Sequence, residues 1–207
     1  AILGKDAFVL LKNKSFLIFF ISAIAICIPL SFYYGFANAF LNEIGLDNAA
    51  GKMTMGQMSE AIFILAIPFL FNKIGVKNML IFGIAAWVLR YVCFAYGNMD
   101  ATWMLYAGII LHGICYDFFF VTGYMYTEKK AGEHIKNAAQ GLFTFATYGV
   151  GMFIGTNYSG FVVEQNKLAD ATGHNWTSIW LTPAAIAGAV LIAFILFFKE
   201  KKEVEAA

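Results

Sequence analysis

Charged positions divide the chain into six long apolar stretches. No Asp, Glu, Lys or Arg lies between Lys14 and Glu43, and about 20 apolar residues, each rising about 1.5 Å, cross the hydrocarbon core of a bilayer. A first membrane span is therefore predicted over 15–41, with Pro29 and Gly35 as expected kink points. The next apolar stretches predict spans over 53–71, 76–96, 101–126, 137–163 and 177–198. Pro183 falls near the start of the last, where a missing amide costs little. Residues 1–14 read as a cytoplasmic linker without the apolar core and cleavage site of a signal peptide. Residues 199–207, rich in Lys and Glu, read as a solvated cytoplasmic tail. The expected fold is all-α and integral to the membrane, a single bundle of six helices over 15–198.

Composition agrees with that class: 60% of the 207 residues are hydrophobic and 13% charged, too few charges to cover a soluble domain of this length. A net charge of +1 provides no basic field for nucleic acid. Cys27, Cys93 and Cys115 lie in apolar runs with no CxxC spacing, so buried thiols are expected, with no metal and no disulfide framework. The sequence has no GxxxxGK cradle, no HExxH and no Ser or Cys triad context, so neither an enzyme nor a cofactor is expected.

Loop cations set an orientation. Lys5, Lys12, Lys14, Lys73, Lys77, Lys129, Lys130, Lys136, Lys199, Lys201 and Lys202 fall on one side of the six-span arrangement, and only Lys52 and Lys167 on the other. Because cytoplasmic loops carry the excess of Lys and Arg, both termini are expected in the cytoplasm. Tyr96, Trp103, Tyr126 and Trp176 fall near span ends, where interfacial aromatic belts form.

Candidate chemistry comes from what the bilayer penalises. Glu60, Arg90, His112 and Asp117 lie inside predicted spans, where an ionisable side chain is costly unless paired or hydrated. A structural ion pair or a snorkelling side chain is the alternative to a functional role for each. Counted from the outer span ends, Glu60 and Arg90 share a depth of roughly 10 Å, so they are expected as a possible ion pair. His112 falls near the midplane and Asp117 beyond it. Helical spacing puts Gln57 with Glu60, and His112 with Tyr116, on common faces. Ser31, Tyr34 and Asn38 form a stripe on the first span, and Gln140, Thr144, Thr147, Tyr148 and Gly151 one on the fifth. One such stripe is as well explained by helix-to-helix hydrogen bonds; four together favour a shared polar cavity. The small residues Gly151, Gly155 and Ser159 are expected to pack closely on a neighbouring helix.

Several ordered strings carry a family resemblance: MGQMSEAIFIL from Met55, GVKN from Gly75, AWVLR ending at Arg90, FAYG from Phe94 and HGICYDFF from His112. Over nearly its whole length the chain resembles the nucleoside:proton symporters of the major facilitator superfamily. That resemblance implies helices seven to twelve of a twelve-helix transporter, half of the fold and itself a 3+3 inverted repeat, with the amino-terminal half absent from this chain. The implied partners are nucleoside, protons and membrane lipid, in the cytoplasmic (inner) membrane. The implied substrate contacts are Gln57, Glu60, His112, Tyr116, Ser31 and Tyr34, with Glu60 and Asp117 as competing proton carriers and Arg90 as a possible partner of Glu60. His112 stands where the family pattern has an aromatic residue, and Ser31 and Tyr34 where it has amides. Proton-coupled nucleoside uptake by alternating access is the expected function. A symporter of the same superfamily for oligosaccharide or another small polar solute, and a non-transporting structural subunit, are the alternatives.

Overall fold

A computed structural model describes residues 5–169 and 173–199. The first four residues of the expected linker and all of the expected tail beyond Lys199 lie outside the described residues. Lys5–Lys12 forms a 3-10 helix that packs against the helical segment Thr122–Thr144.

Four continuous helical stretches are long and apolar enough to cross a membrane: Lys14–Glu43, Ala49–Tyr96, Thr102–Gln165 and Trp176–Phe197. The second has 48 residues, about 72 Å if straight, more than twice a hydrocarbon core of about 30 Å. It does not run straight. Gly75, at φ 77° and ψ 160°, breaks it, and Gly132, at φ 66° and ψ 178°, breaks the third stretch. Both glycines have open space where a Cβ would sit, so backbone conformation and not crowding demands glycine there. The helical segments are then α1 (Lys14–Glu43), α2 (49–74), α3 (76–96), α4 (102–131), α5 (133–165) and α6 (Trp176–Phe197). α2, α4 and α5 extend about a turn past the apolar stretches that predicted them, and α1, α3 and α6 match theirs within two residues.

Side chains fix the ends. Asn13 caps α1 by accepting from the amides of Ser15 at 3.0 Å and Phe16 at 3.1 Å, and Asn175 caps α6 by accepting from the Ser178 amide at 3.2 Å. α6 starts one residue before the predicted span, and Pro183, about two turns in, is buried. The expected kink points in α1 leave no break: the helix is continuous through Pro29 and Gly35, and the buried Tyr91 hydroxyl donates to the Pro29 carbonyl.

The core is aromatic. Phe40, Phe94, Trp176 and Trp180 pack together with ring centroids 5.1–6.2 Å apart, locking α1, α3 and α6. Tyr126 is fully buried against Phe16, Phe19 and Phe198. Tyr126 and Trp176 are therefore core residues and not the belt residues expected, whereas Tyr96 and Trp103 are exposed. The expected close packing of the α5 glycines is present: a Cβ on Gly151 would lie 2.7 Å from Cys27 Cβ, and one on Gly155 2.8 Å from the Cys27 carbonyl. These glycines let α5 lie directly on α1.

At the far end of α1, Glu43 ties down the loop before α6. Its carboxylate accepts from the His174 amide at 2.7 Å and meets the His174 ring nitrogen at 2.7 Å. Partial desolvation opposes the charge on Glu43, but the bonds from His174 outweigh it and hold the carboxyl below its usual range. A depressed carboxyl contributes stability that is present above its unfolded value of about 4.3 and is lost as pH falls through the folded value. Glu43→Gln is thus expected to lower the thermal midpoint at neutral pH, with the difference from wild type shrinking as acidification takes the pH below the unfolded carboxyl range and through the depressed folded one. A pH series of melting curves for the two proteins checks this.

Candidate functional site

Small residues build the site by letting α2 and α4 touch. A Cβ on Gly113 would lie 2.5 Å from the Glu60 amide nitrogen and from Ser59 Oγ, and one on Gly56 3.3 Å from His112 Cβ. Ser59 stitches the seam: its hydroxyl accepts from the Gly113 amide at 3.0 Å and lies 2.8 Å from the Ile110 carbonyl, to which it donates. Backbone contact at this point sets Glu60 beside His112.

Three of the four intramembrane ionisable residues meet there in an order that spacing alone did not give. Arg90, fully buried on α3, places Nη1 2.8 Å from His112 Nδ1. His112 Nε2 in turn lies 3.6 Å from Glu60 Oε2. The expected direct pair of Glu60 with Arg90 does not form; among the described residues no carboxylate lies within 4.0 Å of the guanidinium. The reason is steric. The imidazole occupies the space between α3 and α2, while the guanidinium lies over Tyr33, with Cζ 3.5 Å from the ring centroid, and near the rings of Trp87 and Phe94. Tyr33, the aromatic base of this arrangement, was not singled out from sequence; it precedes Tyr34 on α1 and, unlike Tyr34, is buried.

Around this centre lies an aromatic and polar face. The His112 ring is 5.1 Å from Tyr33, 6.3 Å from Tyr34 and 5.6 Å from Tyr116. The Tyr116 and Tyr148 hydroxyls bond to each other across α4 and α5. Tyr34, Gln57 and Tyr148 are exposed, and Glu60 and Tyr116 are half-buried; Tyr34, Tyr116 and Glu60 gather around His112 and Tyr148 joins through Tyr116, and Gln57 stands one turn before Glu60 on α2. Ser31 is not part of this group. Its hydroxyl is buried, donates to the Cys27 carbonyl at 2.9 Å and contacts Met152 sulfur, which makes it part of the α1–α5 seam.

Asp117 is fully buried, and neither carboxyl oxygen has a hydrogen-bond partner among the described residues. It opens a π-helical turn, Asp117–Val121, and a second π turn spans Phe145–Gly151 on α5. A π turn inserts a residue into the α register. The expected α5 stripe is split in burial: Thr144 and Tyr148 are exposed, Thr147 and Gly151 buried. Among the described residues no group of three or more His, Cys, Asp or Glu side chains is placed to hold a metal ion.

Comparison with known proteins gives the family. The family model described as "Nucleoside H+ symporter" matches residues 1–203. The chain is 40% identical to the putative nucleoside transporter YegT of Escherichia coli over 96% of this chain and 48% of that protein. It is 36% identical to the nucleoside permease NupG of the same organism over 97% of this chain and 50% of that protein. For the xanthosine permease of E. coli the identity is 33%, over 98% of this chain and 51% of that protein. The crystal structure of NupG superposes with a TM-score of 0.84 over 96% of this chain and 52% of that one, at 36% identity. The chain thus spans about half the length of the relatives it matches, and it belongs to the nucleoside H+ symporter family.

Proposed function

We propose that this chain is the carboxy-terminal half of a proton-coupled nucleoside transporter of the major facilitator type, working by alternating access in the cytoplasmic membrane with both termini in the cytoplasm. The observation that carries the reading is the open face of Tyr34, Gln57, Glu60, Tyr116 and Tyr148 on a chain about half as long as the permeases it resembles. A transporter site at mid-membrane lies between two repeats, so the uncovered polar face of one half is where the solute belongs. Six spans, from the breaks at Gly75 and Gly132, and the excess of lysines on one side support the orientation.

In this reading each residue has a task. Tyr34 and Tyr116 present ring faces to a nucleobase, which stacks on aromatic rings without demanding one base identity. Gln57 and Glu60 take hydroxyl or N–H groups of the nucleoside, Gln57 as donor and acceptor and Glu60 as acceptor. Asp117 carries the proton: a carboxyl that nothing compensates when charged is suited to gain and lose a proton as the two halves rock. His112 stands beside Glu60 as a positioning group.

The test is uptake of labelled nucleosides into proteoliposomes holding the complete protein that carries this chain, with and without an inward proton gradient and with competing sugars. Nucleoside should accumulate only with the gradient, and free sugars should not compete. Accumulation of a sugar in place of nucleoside would move the assignment to an oligosaccharide symporter, and no solute flux at all to a structural subunit.

A further inference from the structure

We propose that Arg90 and His112 are positioning residues for Glu60: the buried guanidinium fixes His112 as the Nε2–H tautomer, and that N–H holds one oxygen of the Glu60 carboxylate, leaving the other for a hydrogen-bond donor of the solute. The tautomer follows from geometry alone; the role toward solute rests on the nucleoside-site reading above.

A guanidinium has five N–H donors and no acceptor, and it is not deprotonated in proteins. At 2.8 Å from Arg90 Nη1, His112 Nδ1 must therefore present its lone pair. The ring proton is left on Nε2, the nitrogen that faces Glu60 Oε2 at 3.6 Å. A doubly protonated ring would set two N–H groups head-on at 2.8 Å and two cations side by side in a site with no water-exposed Arg90 surface. The limit of an N–H···O bond is about 3.2 Å, so a movement of about half an ångström by Glu60, whose side chain is 32% exposed, closes the contact.

The rest of Arg90 explains why the arrangement runs through His112. Nη1 also approaches Cys115 Sγ at 3.5 Å, the cation rests on Tyr33, and Nε and Nη2 have no hydrogen-bond partner among the described residues. A buried cation is costly without an anion in reach. The only carboxylate connected to it by contacts among the described residues is Glu60, through the imidazole. Packing alone does not require a histidine there: the ring between Tyr33 and Tyr116 could be any aromatic of that size. Accepting from a cation on one edge while donating to a carboxylate on the other requires imidazole, or an amide placed the same way.

That distinction supplies the test, made on the complete transporter carrying this chain. Nitrogen-15 NMR of histidine-labelled protein, with the His112 signal identified by its loss in His112→Phe and in His112→Gln, should show a bare Nδ1 and a protonated Nε2. Nucleoside binding should weaken about tenfold or more in His112→Phe, which keeps the ring and loses both bonds, as expected for a hydrogen bond to a charged group. His112→Gln, which restores an acceptor and a donor, should stay within about threefold of wild type, and on a Glu60→Gln background His112→Phe should add little further loss. A proton on Nδ1, a doubly protonated ring, or wild-type binding by His112→Phe would overturn the proposal. The tautomer is read without solute, so a protein that binds no nucleoside in any form would overturn the nucleoside reading, while the NMR signal still decides this one.

Discussion

Asp117→Asn should abolish accumulation of nucleoside against its gradient while exchange of labelled for unlabelled nucleoside across the same membrane continues at close to the wild-type rate. Exchange needs the loaded site to change sides but no net movement of protons, so it isolates rocking from coupling. Asp117 is the residue whose removal should separate the two. It is fully buried, no described residue bonds either oxygen, and it does not line the open face that Tyr34, Gln57 and Glu60 share. Asn is nearly isosteric and carries no titratable proton. One pH unit of gradient is worth about 1.4 kcal/mol, or tenfold accumulation per proton carried, so under such a gradient the inside-to-outside ratio should fall from about ten to about one. Proteoliposome uptake and counterflow on the same preparation measure both quantities. An Asp117→Asn protein that still concentrates nucleoside would sink the assignment.

The helices were legible in the sequence because hydrocarbon thickness and charge avoidance act on every residue of a span. Their ends were less so: α5 begins at residue 133 and includes Lys136, since a helix continues past the apolar zone where side chains reach water. Glu60, His112 and Asp117 were found by the cost of charge in lipid, and Gln57 by its spacing from Glu60. What the sequence did not show were relations set by backbone register and by contact between helices. The π turn on α5 contains Thr147 and Gly151, which are buried, and Tyr148, which is exposed, and no residue-type signal marks that turn. Ser31 has the spacing of a cavity residue but turns to the α5 glycines. The close approach at Gly56, Ser59 and Gly113 is what places His112 between Arg90 and Glu60, and depth counting, which gives one coordinate of three, could only put Arg90 and Glu60 at the same level.

Glu60→Gln should weaken nucleoside binding by roughly ten- to a hundredfold, the range of a hydrogen bond to a charged group, without unfolding the protein. The fold is spared because the amide oxygen of Gln still receives the His112 Nε2–H, so no buried donor is orphaned, and because the Glu60 side chain is 32% exposed on the open face. The solute feels the change: a carboxylate offers acceptors alone, whereas the Gln amide adds an N–H that opposes a donor on a sugar hydroxyl or base edge. The same variant decides between the two carboxyls as proton carrier. If Asp117 carries the proton, the residual transport of Glu60→Gln, driven at high nucleoside concentration, still responds to a proton gradient, since the titrating group is intact and only occupancy is reduced. If Glu60 carries it, the residual flux is indifferent to the gradient. Equilibrium binding to the purified complete protein gives the first quantity and gradient-dependent uptake at saturating nucleoside the second. A gradient-insensitive Glu60→Gln paired with a gradient-sensitive Asp117→Asn would reverse the roles assigned here to the two acids.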